Sequence, residues 1–141
     1  MRTLAIALVL LCSCMAVAQS KPTHADMANQ SICYAQALVV VPKTDKYPAK
    51  LDGAHYDAVS KTCYVQWSRM TWTSAQWDGI DQIEVEDAFE HKYVAEFIGV
   101  AGEGITPPTS CQVNGEKCDS RAQFNGLLWK FISAFKPVTA S

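Results

Sequence analysis

What this chain lacks is the first guide to its chemistry. There is no H-E-x-x-H pair of zinc ligands and no G-x-S-x-G nucleophile elbow, so the two hydrolase types those motifs mark are excluded. Histidine is scarce, at three residues, and none is set beside a recognisable nucleophile. No run of lysine or arginine occurs. With 12 basic and 14 acidic side chains the formal charge is −2, which argues against nucleic acid or an anionic membrane as the main partner. No apolar stretch approaches the roughly 20 residues that cross a bilayer as a helix. Sequence repeats and low-complexity tracts are absent as well.

The first residues read as an export signal. Met1-Arg2 is positive, Thr3 to Leu11 is almost wholly apolar, and Ala16-Val17-Ala18 supplies the small-x-small pattern read by a signal peptidase. Cleavage after Ala18 makes residues 1–18 a signal peptide and leaves 19–141 as one domain, with loose ends at about 19–25 and 136–141. Loss of Arg2 takes the net charge to −3. Leu11-Cys12-Ser13-Cys14 also fits a lipoprotein cleavage box, with Cys14 as the lipidated residue, so an anchored form stands as the alternative. Neither reading leaves a transmembrane segment after cleavage.

Four cysteines remain: Cys33, Cys63, Cys111 and Cys118. An even count in an exported chain reads as two disulfides, with three connectivities open. The local pattern favours Cys33–Cys63 and Cys111–Cys118. Asn114-Gly115 is a two-residue turn that accepts positive φ at both positions. A hairpin centred there sets Val113 against Glu116, Gln112 against Lys117, and Cys111 against Cys118. Thr62 to Trp72 alternates as a strand with one buried side, Cys63, Val65 and Trp67 inward and Tyr64, Gln66 and Ser68 outward. Inward-facing Cys63 would meet a packed helix carrying Cys33.

That helix is expected from Asp26 to about Val41, with Ala28, Ile32, Ala35 and Val39 on one face and Cys33, Ala37 and Val40 beside it. Pro42 ends it, and lysine-rich Pro42 to Gly53 reads as loop. Thr73 to Asp81 also reads as loop. Ile83, Val85 and Phe89 alternate with Glu84, Glu86 and Glu90 as a second strand. A turn near Glu90-His91-Lys92 leads to a third, Tyr93 to Val100. Gly99 to Thr109 is a connector. After the hairpin, Ser120-x-x-Gln123 is a capping box, and Phe124, Leu127, Leu128, Phe131, Ile132 and Phe135 form the apolar stripe of a last helix, stopped by Pro137.

Taken together, His55-Tyr56, Lys61-Thr62-Cys63-Tyr64, Asp87-Ala88-Phe89-Glu90, Tyr93-Val94-Ala95, Pro107-Pro108, Cys111-x-Val113, Cys118-x-Ser120 and Phe124 resemble a group of small exported bacterial proteins. The resemblance covers most of residues 19–141. It implies a bacterial origin and carries no activity and no site residues. With that origin, the glycosylation acceptor Asn29-Gln30-Ser31 reads as chance.

Six carboxylates, Asp78, Asp81, Glu84, Glu86, Asp87 and Glu90, fall between Arg69 and Lys92 with no Lys or Arg among them. Clustered oxygens suit Ca²⁺, but Asp78-Gly79-Ile80-Asp81 lacks EF-hand spacing, and Glu84, Glu86 and Glu90 alternate as a solvated strand face would. A pair of them could serve glycoside hydrolysis if a cleft set their separation. His55 and His91 read as exposed polar residues. Trp67 belongs to the core, whereas Trp72 and Trp77 are candidates for a binding surface.

The expected fold is α+β: an antiparallel sheet of four or five strands, an N-terminal helix and a C-terminal helix packed on it, and two disulfides. No catalytic, cofactor-binding or metal-binding residue is assigned. The expected role is that of an exported, non-catalytic binding module of the cell envelope whose partner is an envelope protein or a glycan. The alternatives are a small carboxylate-dependent hydrolase and an inhibitor of a secreted enzyme that presents the Gly99 to Thr109 loop.

Overall fold

The computed structural model describes residues 23–44, 46–72, 79–101 and 107–133. The expected signal peptide, Cys14, Trp77, Asp78 and Phe135 lie outside the described residues. The elements run α1 (His24–Val40), β1 (Lys50–Asp57), β2 (Thr62–Trp72), β3 (Gly79–Asp87), β4 (Lys92–Val100), β5 (Ser110–Val113), β6 (Glu116–Lys117) and α2 (Arg121–Phe131). The strands form one antiparallel sheet in the order β1-β2-β3-β4-β5-β6, every neighbour in space being the next in sequence.

The sheet has six strands rather than four or five, and the main addition is β1. Asp52-Gly53 reads as a turn in the sequence. In the structure Asp52 is a bulge, Leu51 pairing with Trp67 and Gly53 with Gln66, so the pleat resumes on the far side of the dipeptide. Strand β3 also begins earlier than expected, at Gly79, and ends at Asp87. Phe89 is therefore not an inward strand residue. It lies in the next hairpin loop, 41% exposed, its ring tilted toward Tyr56 at 6.5 Å.

One loop chemistry is used twice, which the sequence reading found no repeat to suggest. Asp57 and Asp87 each close a four-residue hairpin loop by accepting a bond from the backbone N–H two residues on, from Val59 at 2.9 Å and from Phe89 at 3.0 Å. Such Asx turns let the side chain stand in for a backbone turn. Both loops finish with a left-handed residue, Lys61 (φ 57°) and His91 (φ 52°).

The two helices cover opposite faces of the sheet. Residues paired across antiparallel strands share a face. Val65 pairs with Glu86, and Gln66 with Val85, so the two core clusters belong to different sides. Cys33 and Ala37 of α1 pack with Cys63, Val65 and Trp67. Phe124 and Leu128 of α2, with Ile132 at its C-cap, pack with Ile83, Val85, Ala95, Phe97 and Val113. This corrects the expectation that β2 buries one side only. Gln66, read as outward, is 3% exposed, and Tyr64 meets Phe131 edge-on at 5.8 Å.

Both disulfides form as the pattern suggests. Cys33–Cys63 ties α1 to β2 across a Cα separation of 5.4 Å. Cys111–Cys118 closes the last hairpin at 5.1 Å, where Cys118 N–H donates to the Cys111 carbonyl at 3.1 Å, the hydrogen-bonded position of the ladder. Asn114 (φ 48°) and Gly115 (φ 83°) make the left-handed turn, and Val113 pairs with Glu116 and Gln112 with Lys117. Ser120 caps α2 by accepting from Gln123 N–H at 3.3 Å. The Gln123 carboxamide turns back to Asp119 N–H at 2.9 Å rather than to Ser120. Arg121 then pairs with Asp81 and lies over the Phe97 ring at 5.2 Å, joining the first turn of α2 to the sheet.

Helix α1 departs most from its expected packing. It starts at a capping box built by Thr23 and Asp26, yet Ala28, Ile32, Ala35 and Val39, the expected core face, are all exposed. The buried stripe is Cys33 and Ala37, with Gln30 and Val40 partly covered. The disulfide fixes this rotation, because Cys33 must face Cys63. Gln30 makes use of it: its Nε2 donates to the Ala54 carbonyl at 3.0 Å and its Oε1 accepts from Tyr56 N–H at 2.8 Å. One side chain thus satisfies two groups on the outer edge of β1, the kind of edge that otherwise invites pairing with another chain.

Candidate functional site

Helix α1 packs against β1 and β2, and α2 against β4 and β5. On the α1 side of the sheet, no described helix covers the part built from β3 and β4. The register gathers polar groups there. Glu84 stands between Trp67 on β2 and Glu96 on β4, Gln82 between Arg69 and Ile98, and Glu86 between Val65 and Tyr93. On the next strand, Ser110 lies opposite Ile98.

Arg69, Gln82 and Glu84 form one hydrogen-bonded network, and Ser110 and Glu96 form a separate pair. Arg69 Nη2 donates to Gln82 Oε1 at 2.6 Å, and Gln82 Nε2 donates to Glu84 Oε1. Ser110 Oγ donates to Glu96 Oε2. Arg69 lies over the Trp67 ring at 5.8 Å. Two atoms of the network are buried without a hydrogen-bond partner among the described residues: Glu84 Oε2, an acceptor, and Arg69 Nε, a donor.

The electrostatics follow from this crowding. Glu84 and Glu86 are 6% and 7% exposed, so the solvated strand face expected for them is not what forms. Burial raises the Glu84 carboxyl above the ordinary carboxylate range, and the charge of Glu96 adds to the rise. The Gln82 bond and Arg69 offset only part of it. Burial likewise raises Glu86, against the opposing pull of His91. The Tyr93 hydroxyl is pushed up by Glu84, by burial and by Glu86 and Glu96, which marks the whole patch as negative.

The expected acidic cluster is split by the fold. Asp81 points to the α2 side and pairs with Arg121. Asp87 holds its loop, and Glu90 is exposed in that loop. Of the described members only Glu84 and Glu86 reach the polar patch, where Glu96 joins them from a strand beyond the run. Among the described residues no three His, Cys, Asp or Glu side chains could hold a metal ion. Trp72 is 52% exposed, and its carbonyl accepts from the Tyr47 hydroxyl at 3.1 Å. By register it lies on the other face from the carboxylates, so Trp72 is not part of the carboxylate patch. His55 pairs with Tyr64 on that same other face. The candidate inhibitory loop cannot be placed, since residues 102–106 lie outside the described residues.

Sequence reasoning overlooked Arg69, Gln82, Glu96 and Ser110. Glu96 was within reach, because it sits in an expected strand. Finding it required the β3/β4 register, which a bulge at Val94 shifts between Val85 and Glu86.

Compared with protein-family models, with curated proteins and with solved structures, the chain matches none.

Proposed function

We propose that the protein is an exported, non-catalytic binding module of the cell envelope, and that the carboxylate patch on β3 and β4 receives a basic segment of an envelope protein. One observation carries this reading. Glu84, Glu86 and Glu96 are brought to one area that no described helix covers, Arg69 reaches Glu84 through Gln82, and among the described residues Glu84 keeps one oxygen without a partner. Glu96 is the part-exposed member of the three, and a lysine or arginine side chain docked there supplies the opposite charge and a hydrogen-bond donor. Two disulfides, the leader-like first residues and the resemblance to small exported bacterial proteins support export. Among the described residues no helix is long and apolar enough to cross a membrane.

The test is fluorescence anisotropy with labelled oligolysine and oligoarginine at low and high salt, beside an uncharged glycan fragment as control. Salt-sensitive binding of the basic peptides that Glu86→Lys or Glu96→Lys abolishes supports the proposal. Equal binding by these variants, or binding of the glycan alone, removes it. Export is checked by cell fractionation with an antibody to residues 19–141.

A second reading, acid–base hydrolysis, is favoured by the raised proton affinity of Glu84 and Glu86, since a general acid needs a carboxyl protonated near neutral pH. It predicts release of soluble fragments from cell-wall glycan, lost in Glu84→Gln. No release by the wild-type protein between pH 4 and pH 7 rejects it.

A further inference from the structure

Helix α1 is turned inside out relative to its sequence. Met27, Ile32, Tyr34, Leu38 and Val39 each keep half or more of their surface in solvent. The stripe facing the sheet instead includes Asn29, Gln30 and Gln36, all partly covered. Single exposed apolar residues are ordinary, but Ala28, Ile32, Ala35 and Val39 are all exposed and fall on one side of the helix, and a contiguous apolar helix face of this kind marks a contact surface.

We propose that this face pairs with the same face of a second copy, as an antiparallel α1–α1 dimer about a two-fold axis between Cys33 and Tyr34. Three features of the helix select this occupant. The first is spacing. Ala28, Ile32, Ala35 and Val39 recur at four, three and four residues, the seam of a helix pair, with β-branched and small residues alternating along it. The second is register. An antiparallel arrangement centred between residues 33 and 34 sets Ala28 against Val39 of the other copy and Ile32 against its Ala35. Every layer then matches a small side chain with a branched one, which lets the helices approach closely and leaves no gap. A parallel pair would set Ala against Ala and Ile against Ile. Antiparallel packing also opposes the helix dipoles.

The third feature is charge. Within α1 the ionisable side chains besides Tyr34 are His24 and Asp26, and Asp26 is held by Thr23 at the cap. Nothing on the seam repels its own copy. A helix that lies on a lipid surface carries Lys and Arg along its polar face, and α1 carries none.

The contact is modest in size. Seventeen residues make a helix about 25 Å long, and a pair of that length buries on the order of 1,000 Å² in all, below the usual size of a stable interface. The dimer is therefore a weak one.

Sedimentation of the oxidised protein, from about 10 µM to 1 mM, reads the proposal. The expected result is a weight-average mass that climbs from one chain toward two. Ile32→Glu and, at a more exposed position, Val39→Glu hold it at one. Both variants are checked by far-UV circular dichroism, and the second answers the test if the first fails to fold. Orientation is read by mixing Ala28→Cys with Val39→Cys protein under mild oxidation. A cross-link between the two variants that neither forms alone supports the antiparallel pair. A self-cross-link of Val39→Cys as strong as the mixed one overturns it. A constant mass of one chain overturns the dimer, and monomer that co-sediments with phosphatidylglycerol vesicles assigns the face to lipid instead.

Discussion

Glu84 on β3 and Glu96 on β4 stand directly opposite one another, two carboxylates paired across strands. Like charges so placed cost the sheet up to about 1 kcal/mol when both are ionised. Burial makes Glu84 and Glu86 bind a proton more tightly in the folded protein than in the unfolded chain, and at Glu84 the facing charge of Glu96 adds to the preference. Where the folded pKa is raised, stability is greatest below the unfolded value and falls as pH climbs through the folded one. Asp57 works in the opposite sense. Partial burial acts to raise it, but bonds from Val59 and Ser60, helped by the charge of His55, leave it lowered, so its contribution is lost as pH falls toward its depressed pKa. The expected profile of urea midpoints has its maximum on the mildly acidic side of neutral. Glu84→Gln should flatten the neutral limb, raising stability at pH 7 by up to about 1 kcal/mol with little change at pH 4. A wild-type midpoint that rises steadily from pH 5 to pH 8 would contradict this account.

The two disulfides should differ in weight. Chain-entropy arithmetic gives about 3.7 kcal/mol for the loop closed by Cys33–Cys63 and about 2.5 kcal/mol for Cys111–Cys118. The first bond also sets the rotation of α1 and buries both of its cysteines completely. Replacing the Cys33/Cys63 pair by Ala should therefore cost more than replacing the Cys111/Cys118 pair, as read by urea denaturation. It should also free α1 selectively, as read by hydrogen exchange along residues 24–40. Equal losses, or exchange that rises first in α2, would show that the helix is held by other contacts.

Much of this fold was legible because local chemistry and tertiary packing agree. Asn114-Gly115 can form only a few turns, and that turn fixes which residues oppose each other through Cys111 and Cys118. The alternation from Cys63 to Trp67 identified the residues that β2 turns toward α1, although its other face is covered as well. Reading failed where a tertiary constraint overrode the pattern. In α1 the apolar periodicity of Ala28, Ile32, Ala35 and Val39 is real, but Cys33 fixes the rotation, and the core receives the neighbouring stripe. In β1 a bulge at Asp52 interrupts the period of two. The carboxylate patch was hidden for a similar reason. It depends on which strand neighbours which, and on helices covering opposite faces, neither of which is written in any short stretch of residues.

Gln30 links α1 to β1 through two hydrogen bonds to backbone groups. Truncation to Ala leaves an Ala54 carbonyl and a Tyr56 N–H without that partner at the sheet edge. Net losses of about 0.5–1.5 kcal/mol per bond predict a cost of roughly 1–3 kcal/mol for Gln30→Ala. The Tyr56 amide should exchange faster in proportion, and the uncovered edge should make the variant more prone to associate through β1. Gln30→Glu keeps only the acceptor and should retain protection at Tyr56. Unchanged exchange at Tyr56 in Gln30→Ala would show that the bond is not made in solution.

The last hairpin tests the turn chemistry most directly. Gly115 holds φ at 83° with nothing within 4 Å of the position a Cβ would take, so Gly115→Ala meets no clash and registers backbone strain alone. A residue with a Cβ in the left-handed region costs about 1–2 kcal/mol. That cost should appear in full in the oxidised protein, because Cys111–Cys118 holds the turn closed and the chain cannot relax by opening it. With the bond removed by Cys111→Ala/Cys118→Ala, the turn can open and the same substitution should cost less. The start of α2 depends on the closed turn, since Asp119 and Ser120 follow Cys118 directly and bond to Gln123. Opening the hairpin should therefore also raise exchange in the first turn of α2 while leaving the buried Phe124 to Ile132 face protected. A Gly115→Ala penalty of the same size with and without the disulfide would show that the turn, and not the bond, holds the helix start in place.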